Sequence, residues 1–96
     1  MTEKLIKVRV NNIGLKYTIT EESRYETLVT LGNRAMLMKV SIEIFLAAWY
    51  KWQVRGDFIQ DAFSMLNDNE REFLMTGIDA EQWNLIFKEK EENEND

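Results

Sequence analysis

Hydrophobic and polar side chains alternate along the first twenty residues of the chain. Residues 4–10, KLIKVRV, place Ile6, Val8 and Val10 between basic side chains, and residues 15–20, LKYTIT, repeat the pattern with Lys and Thr. A period of two predicts half-buried β-strands. The NNIG segment between the two runs supplies Asn and Gly, which tolerate positive φ, so the pattern predicts a β-hairpin.

Residues 24–40 carry a second pair of apolar runs. YETLVTL and AMLMKV are separated by GNR, a short turn signal, and this arrangement favours a second hairpin. The Leu and Met residues suit a helix equally well, because short apolar runs do not distinguish the two periods. The sequence therefore predicts strands here and leaves a helix as the alternative.

A central helix is predicted from Ser41 onwards. Four apolar residues recur at the spacing of one helix face: Ile42, Phe45, Leu46 and Trp49. Gly56 follows where a glycine ends a helix. Because Trp49, Tyr50 and Trp52 cannot all share one helix face, part of this aromatic surface is expected to meet another element or a partner.

Three short helices are predicted after Gly56, each with its own N-cap. Asp57 is a candidate cap, and Asn67 with Glu70, like Asp79 with Gln82, has the spacing of a capping box. The first helix carries the apolar stripe Ile59, Ala62, Phe63 and Leu66. The second stops at Gly77, and the third buries Trp83, Ile86 and Phe87.

These elements predict one α+β domain over residues 1–87. Residues 1–40 form the β-rich part, an N-terminal antiparallel sheet of about four strands, and residues 41–87 the helical part, in which a central helix packs on the sheet and short capped helices follow. The tail, residues 88–96, has no apolar side chain and is predicted to be disordered. No run of eighteen apolar residues and no secretory leader pattern occurs, so we expect no membrane association and a cytoplasmic location.

Composition narrows the possible chemistry. The chain has no Cys and no His, which excludes zinc fingers, Cys proteases and Ser-His-Asp hydrolases. Residues 1–55 carry nine Lys or Arg and five Asp or Glu, net +4, whereas residues 56–96 carry three and twelve, net −9. Such asymmetry indicates charged partners, or two halves that lie against each other.

The carboxylates of the second half could bind Mg²⁺ or Ca²⁺ or perform acid–base chemistry. Their spacing lacks the alternating ligands and turn glycine of a calcium loop, which favours helix caps and solvated faces. We therefore predict no metal, no cofactor, no catalytic residue and no enzymatic activity. The acidic and aromatic side chains are instead candidate contacts for a protein partner: Trp49, Tyr50, Trp52, Asp57, Asp61, Asp68, Glu70, Glu72 and Glu81.

The first hairpin offers an alternative, nucleic-acid-binding site. Its basic residues are expected on or near one outer face, where a basic ribbon can follow phosphates: Lys4, Lys7, Arg9 and Lys16. An acidic chain with a pI of about 4.8 is repelled by nucleic acid, and exposed Lys on strands also discourages edge pairing. Direct nucleic-acid binding is therefore the less favoured prediction.

The second half resembles a family of small, mostly uncharacterised bacteriophage and prophage proteins. The resemblance covers residues 49–87 and lies in the pattern W..G..IQDAF..L...EREFLMTGI..E.W...F, which runs from Trp52 to Phe87. Family members often have Pro where this chain has Ser64 and Ala80. The resemblance implies a phage origin and brings no catalytic residue with it.

The first hairpin, RVNNIGLKYTIT, is similar to a hairpin of a small acidic anti-CRISPR protein that blocks the DNA-binding groove of a Cas9-type nuclease. The matching positions are Arg9, Val10, Asn11, Asn12, Gly14, Tyr17 and Ile19. Together the two resemblances imply a phage-encoded inhibitor of a host defence complex. A nucleic-acid-binding regulator and a structural or assembly protein are the alternatives, and the sequence leaves the target and the oligomeric state open.

Overall fold

Four antiparallel strands are followed by helices. A computed structural model describes residues 4–79 together with residues 82 and 85. Within them the elements are β1 (Ile6–Val10), β2 (Lys16–Ser23), β3 (Glu26–Leu31), β4 (Arg34–Met38), α1 (Ile42–Gln53), α2 (Ile59–Ala62) and α3 (Asp68–Thr76). Each strand pairs with the next in sequence order. The predicted α+β class is confirmed, and residues 26–38 form a hairpin rather than a helix.

The β3–β4 turn shows why the second apolar segment adopts strands. Gly32 and Asn33 are the two central residues, and Gly32 has a φ of 61°. A glycine with positive φ at the first central position is the arrangement of a type II′ turn, whose twist matches that of paired strands. The turn therefore favours two paired strands over the helix that the Leu and Met residues also allowed.

One face of the sheet carries the core. Tyr17, Ile19, Val29 and Met38 point from the three strands β2, β3 and β4 towards the helices and are fully buried. Opposite them, α1 buries one stripe: Ile42, Phe45, Ala48 and Trp49. The predicted central helix is therefore confirmed as the element that covers the sheet.

The other face of the sheet, which we call the open sheet face, is not covered by any element among the described residues. Its side chains are Ile6, Val8 and Val10 from β1, Lys16, Thr18 and Thr20 from β2, Leu28 and Thr30 from β3, and Ala35 and Leu37 from β4. Ile6, Val8 and Val10 are between 45 % and 59 % exposed. The prediction that their apolar side chains make β1 half-buried is therefore wrong.

Register explains this exposure. Ile19 lies opposite Lys7, and Tyr17 lies opposite Arg9. Residues opposite each other in an antiparallel pair share a face, so the basic side chains of β1 are on the core side of the sheet. Because β1 is an edge strand beyond the reach of α1, this face of β1 has no core to fill.

The β1–β2 hairpin is fastened to the end of α3 by buried side-chain hydrogen bonds. The Asn11 amide nitrogen Nδ2 donates to the carbonyl oxygens of Leu74, at 2.9 Å, and Met75, at 3.3 Å. The Tyr17 hydroxyl donates to the carbonyl oxygen of Phe73 at 2.6 Å. The Phe73 carbonyl also accepts the Gly77 backbone N–H, whereas the carbonyls of the last turn of a helix lack intrahelical donors, so the two side chains supply donors to the end of α3 from outside.

The helix caps follow the predicted pattern in most places. The Ser41 hydroxyl caps α1, Asn67 and Glu70 form a reciprocal capping box at α3, and α3 ends at Gly77 with a φ of 76°. Asp79 and Gln82 also exchange reciprocal hydrogen bonds. The proposed burial of Trp83, Ile86 and Phe87 lies outside the described residues, as does the tail 88–96.

One predicted cap is wrong. Phe58, not Asp57, is the N-cap residue of α2, and it makes no side-chain cap hydrogen bond. The helix is also only four residues long, because the chain leaves helical geometry at Phe63, where φ is −112° and ψ is 46°. The apolar stripe is nevertheless buried in full, which shows that burial and not helix length governs this segment.

Candidate protein-binding surfaces

The predicted aromatic group divides between core and surface. Trp49 is 4 % exposed and stacks near Phe45, with ring centroids 6.1 Å apart. Trp52 is half-buried and packs edge-on against Trp49 at 5.2 Å and against Phe63 at 6.2 Å. As an exposed partner contact Trp49 is therefore a wrong prediction, since its ring belongs to the core. Trp52 keeps part of its surface and stays a predicted contact, and Tyr50 is exposed.

Three exposed side chains form an apolar corner at the end of α1 and the start of α2. They are Tyr50, Val54 and Phe58, which are 56 %, 65 % and 74 % exposed. Tyr50 and Val54 are one helical turn apart and so share a face of α1. Single exposed apolar residues are ordinary on a protein surface, but three large ones within nine residues of chain, including a Phe that is three quarters exposed, favour a contact surface.

Phe58 is exposed because of the backbone that holds it. Gly56, at a φ of 83°, turns the chain after α1, and Phe58 then becomes the N-cap of α2 with an extended φ and ψ. Its carbonyl oxygen accepts hydrogen bonds from the backbone N–H groups of Asp61 and Ala62. The residue is therefore fixed by its main chain while its ring stays in solvent.

The sequence reasoning missed Phe58 as a site residue. The segment GDFIQDAF contains two Phe residues, and only the second fits the apolar spacing of Ile59 and Ala62. A large apolar side chain that falls off the stripe was the available signal.

Carboxylates adjoin the apolar corner. Asp57 precedes Phe58 and lies 3.8 Å from Arg55, a long surface ion pair that contributes little stability. Asp61 is exposed on the first turn of α2. From Asp57 to Glu72 the chain has five carboxylates and one cation, Arg71, so this segment is acidic.

The remaining predicted acidic residues lie on or next to α3 and have structural partners. The Asp68 carboxylate accepts a hydrogen bond from Arg71 Nη2 at 2.6 Å, and Glu70 accepts one from the Asn67 backbone as part of the capping box. Glu72 lies near the Thr76 hydroxyl, at 3.5 Å. Asp68 nevertheless keeps 96 % of its side chain exposed, so it can also meet a partner. Glu81 lies outside the described residues.

The basic residues of the first hairpin do not form one surface. Lys4 and Lys16 belong to the open side of the sheet, whereas Lys7 and Arg9 are on the core side of β1. Lys4 is moreover paired with Glu22 at 3.3 Å. The prediction that the four side chains share one outer face is therefore wrong, because the register places alternate residues on opposite faces.

A shallow cleft of about 360 Å³ opens between the end of β4, the first turn of α1 and the turn after α2. It is lined by Tyr25, Lys39, Val40, Ser41, Ile44 and Met65. Ser41 Oγ accepts the Ile44 backbone N–H and so serves as a helix cap. Apart from Lys39 the walls are largely apolar, which suits contact with apolar side chains.

Metal and membrane sites were also sought in the part of the chain that is described. No group of three or more acidic side chains there is arranged to hold a metal ion. None of the helices in the same residues has the length and apolar character that crossing a bilayer requires.

Comparison with known proteins adds no relative. No protein-family model matches the chain, and neither a curated protein nor a solved structure does.

Proposed function

We propose that this chain is a non-enzymatic, phage-encoded protein that acts in the host cytoplasm by binding another protein. More specifically, we propose that it inhibits host defence and that its partner is a nucleic-acid-binding complex such as a CRISPR effector. The observation that carries protein binding is the apolar corner, in which Phe58 is 74 % exposed and Tyr50 and Val54, close to it in the chain, are exposed as well. The resemblances of residues 49–87 and of the first hairpin support the phage origin and the class of partner.

Phe58 is the main anchor of the proposed contact. Burying a Phe side chain stabilises a complex by about 1.5–3 kcal/mol through the hydrophobic effect. Tyr50 adds an aromatic ring with a hydroxyl that can reach solvent or a polar group, which is the residue type enriched at binding hot spots. The main chain of Phe58 is already fixed by the start of α2, so little ordering entropy is lost on binding.

The acidic segment from Asp57 to Glu72 supplies the electrostatic part of the proposed contact. A groove that binds nucleic acid carries Lys and Arg, and an acidic surface is complementary to it. Opposite potentials raise the association rate and select the partner, while the apolar anchors slow dissociation. Binding should therefore weaken as salt is added, because the charges are exposed and screened.

The alternative of direct nucleic-acid binding has less support. Its four basic residues are split between the two faces of the sheet, and one of them is already paired with Glu22. A ribbon that follows phosphates needs its cations on one side.

Charge reversal separates the two functions. The tagged protein is used to capture partners from a bacterial lysate with and without nuclease treatment, and captured proteins are identified by mass spectrometry. We expect Asp61→Lys with Glu72→Lys to lose a stoichiometric protein partner, and Lys7→Glu with Arg9→Glu to retain it. Loss of the partner only in the second variant, or recovery only in untreated lysate, would favour the nucleic-acid function.

A further inference from the structure

The open sheet face is free of charge through its middle. Two rows of side chains cross all four strands there: Val8, Thr18, Thr30 and Ala35 in one row, and Ile6, Thr20, Leu28 and Leu37 in the other. Charged residues lie beyond these rows, with Lys16 at one end and Glu26, together with the paired Lys4 and Glu22, at the other. An uncharged area of aliphatic and Thr side chains that is bordered by charge has the surface pattern of a protein contact.

We infer that the open sheet face binds a second copy of this chain, forming a two-fold dimer in which two sheets pack face to face. This inference does not rest on the proposed function, because it uses none of the residues of the apolar corner.

The free edge of β1 is a poorer place for a second copy. Glu21 N–H donates to the Leu5 carbonyl, and Asn11 N–H donates to the Leu15 carbonyl. The ladder alternates, so the backbone groups of Ile6, Val8 and Val10 point away from β2. Arg9 Nη1 already donates to the Val8 carbonyl at 2.9 Å. A side-chain cation on an edge strand is a common block to edge pairing.

The pattern of charges selects the orientation of the dimer. A two-fold axis across the strands exchanges the two rows, so that Ala35 packs over Leu37 of the other copy, and Thr30 packs over Leu28. The same operation brings Lys16 of each copy over Glu22 of the other. Val8 then faces Ile6 of the other copy and Thr18 faces Thr20, so a small residue meets a large one at two of the four positions, while opposite charges meet at the border.

A two-fold axis along the strands gives the opposite result for the charges. It would stack Ile6 on Leu37 of the other copy and Val8 on Ala35, so the sizes of the facing residues do not distinguish the two axes. It would also place Glu22 over Glu26 of the other copy, and two such like-charge contacts oppose association. The axis across the strands is therefore the one that the surface fits. Twisted sheets in such a stack cross at about 30°, which preserves contacts in the central rows.

The size of the face predicts a weak dimer. Four strands spaced about 4.8 Å apart and about five residues long cover roughly 320 Å² in projection. Standard stable interfaces bury about 800 Å² of accessible surface per partner. We therefore expect dissociation in the micromolar range or above.

Sedimentation equilibrium of the full chain, from about 1 µM to about 1 mM, tests the inference over the range of weak dimers. The weight-average mass should rise from 11.4 kDa towards twice that value. Val8→Glu buries a charge in the contact and should weaken the dimer by at least about 100-fold. Val54→Glu, which adds the same charge at an exposed site on α1, should leave it unchanged.

A charge swap tests the axis. Lys16→Glu and Glu22→Lys should each weaken the dimer, and the double variant should recover it. Circular dichroism of each variant at the lowest concentration separates loss of association from loss of fold. A monomer at every concentration, a dimer insensitive to Val8→Glu, or a double variant no better than the single ones would overturn the inference. Capture of a partner by a strictly monomeric chain would leave the proposed function standing while refuting the dimer.

Discussion

Asn11→Asp is a near-isosteric change that tests how the hairpin holds α3. The Asn11 side chain is buried and makes four hydrogen bonds. Its oxygen Oδ1 accepts hydrogen bonds from the backbone N–H groups of Ile13 and Leu15, and an Asp side chain can accept the same two bonds. Its Nδ2 donates to the Leu74 and Met75 carbonyls, and Asp replaces that donor by a carboxylate oxygen.

The expected penalty is large because two effects have the same sign. The carboxylate would face carbonyl oxygens about 3 Å away at the end of a helix, where the helix dipole is negative. It would also be a buried charge without a partner, which destabilises a fold by about 3–5 kcal/mol. For a domain of this size that corresponds to a fall in Tm of about 12 °C or more.

The penalty should depend on pH with a definite sign. A carboxylate that is disfavoured in the folded state has a folded pKa above the unfolded value of about 3.9. The variant therefore loses stability as pH rises through the folded pKa and regains it below the unfolded pKa, where the protonated group can donate to Leu74. Urea unfolding followed by circular dichroism at pH 7 and pH 4 measures the difference from wild type at each pH.

The matched control is Asn12→Asp, which places the same charge on the exposed neighbouring residue. We expect that variant to lie within about 0.5 kcal/mol of wild type. A loss below about 1 kcal/mol for Asn11→Asp at pH 7, or an equal loss at both pH values, would refute the proposed link between the hairpin and α3.

Two further results follow from the same end of the molecule. Burial raises the pKa of Tyr17 to about 12, from about 10 in the unfolded chain, so its contribution to stability is full below pH 10 and is lost as pH rises through 12, a change of roughly 2–3 kcal/mol. Alkaline unfolding should show this loss in wild type and not in Tyr17→Phe. Gly77→Ala should lower the free energy of unfolding in urea by about 1 kcal/mol more than Gly14→Ala. Both glycines have positive φ, but only at Gly77 would the added Cβ lie 2.6 Å from Leu31 Cδ2. Equal losses in the two variants would contradict that packing.

Local signals in the sequence accounted for much of the fold. The Asn67 and Glu70 capping box, the Ser41 cap and the turn glycines each act through their nearest neighbours in the chain, so their effect can be read without tertiary structure. The 3.6-residue period likewise predicted Ile42, Phe45 and Trp49 in the apolar stripe of α1, although Ala48 is buried and the predicted Leu46 is only partly buried.

The faces of β1 could not be predicted in the same way. Its alternation is regular, but which set of side chains faces the core depends on the register with β2 and on where α1 ends. Both are properties of the assembled sheet. The consequence reached the candidate sites, because the same register separates Lys7 from Lys16.

The candidate contact residues show a similar limit. Trp49 and Tyr50 are adjacent in sequence and of similar type, yet one is core and the other surface. The rotation of α1 about its axis relative to the sheet determines which of the two is buried, and the aromatic composition alone does not predict that rotation. The exposure of Phe58 depends on the turn at Gly56. After this turn the N-cap of α2 is Phe58, one residue beyond the predicted cap Asp57.

The most direct test of the central claim removes the proposed anchor from the apolar corner. Phe58→Ser is compared with Ile13→Ser, which removes a similarly exposed apolar side chain, 61 % exposed, from the β1–β2 turn. Both tagged variants and the wild type capture proteins from nuclease-treated bacterial lysate, and the stoichiometric partner is quantified. We predict that Phe58→Ser loses at least about 90 % of the partner at unchanged stability, as expected for a hot-spot residue worth about 1.5–3 kcal/mol, while Ile13→Ser retains it. Equal capture by all three proteins would contradict the claim that the apolar corner is the binding site.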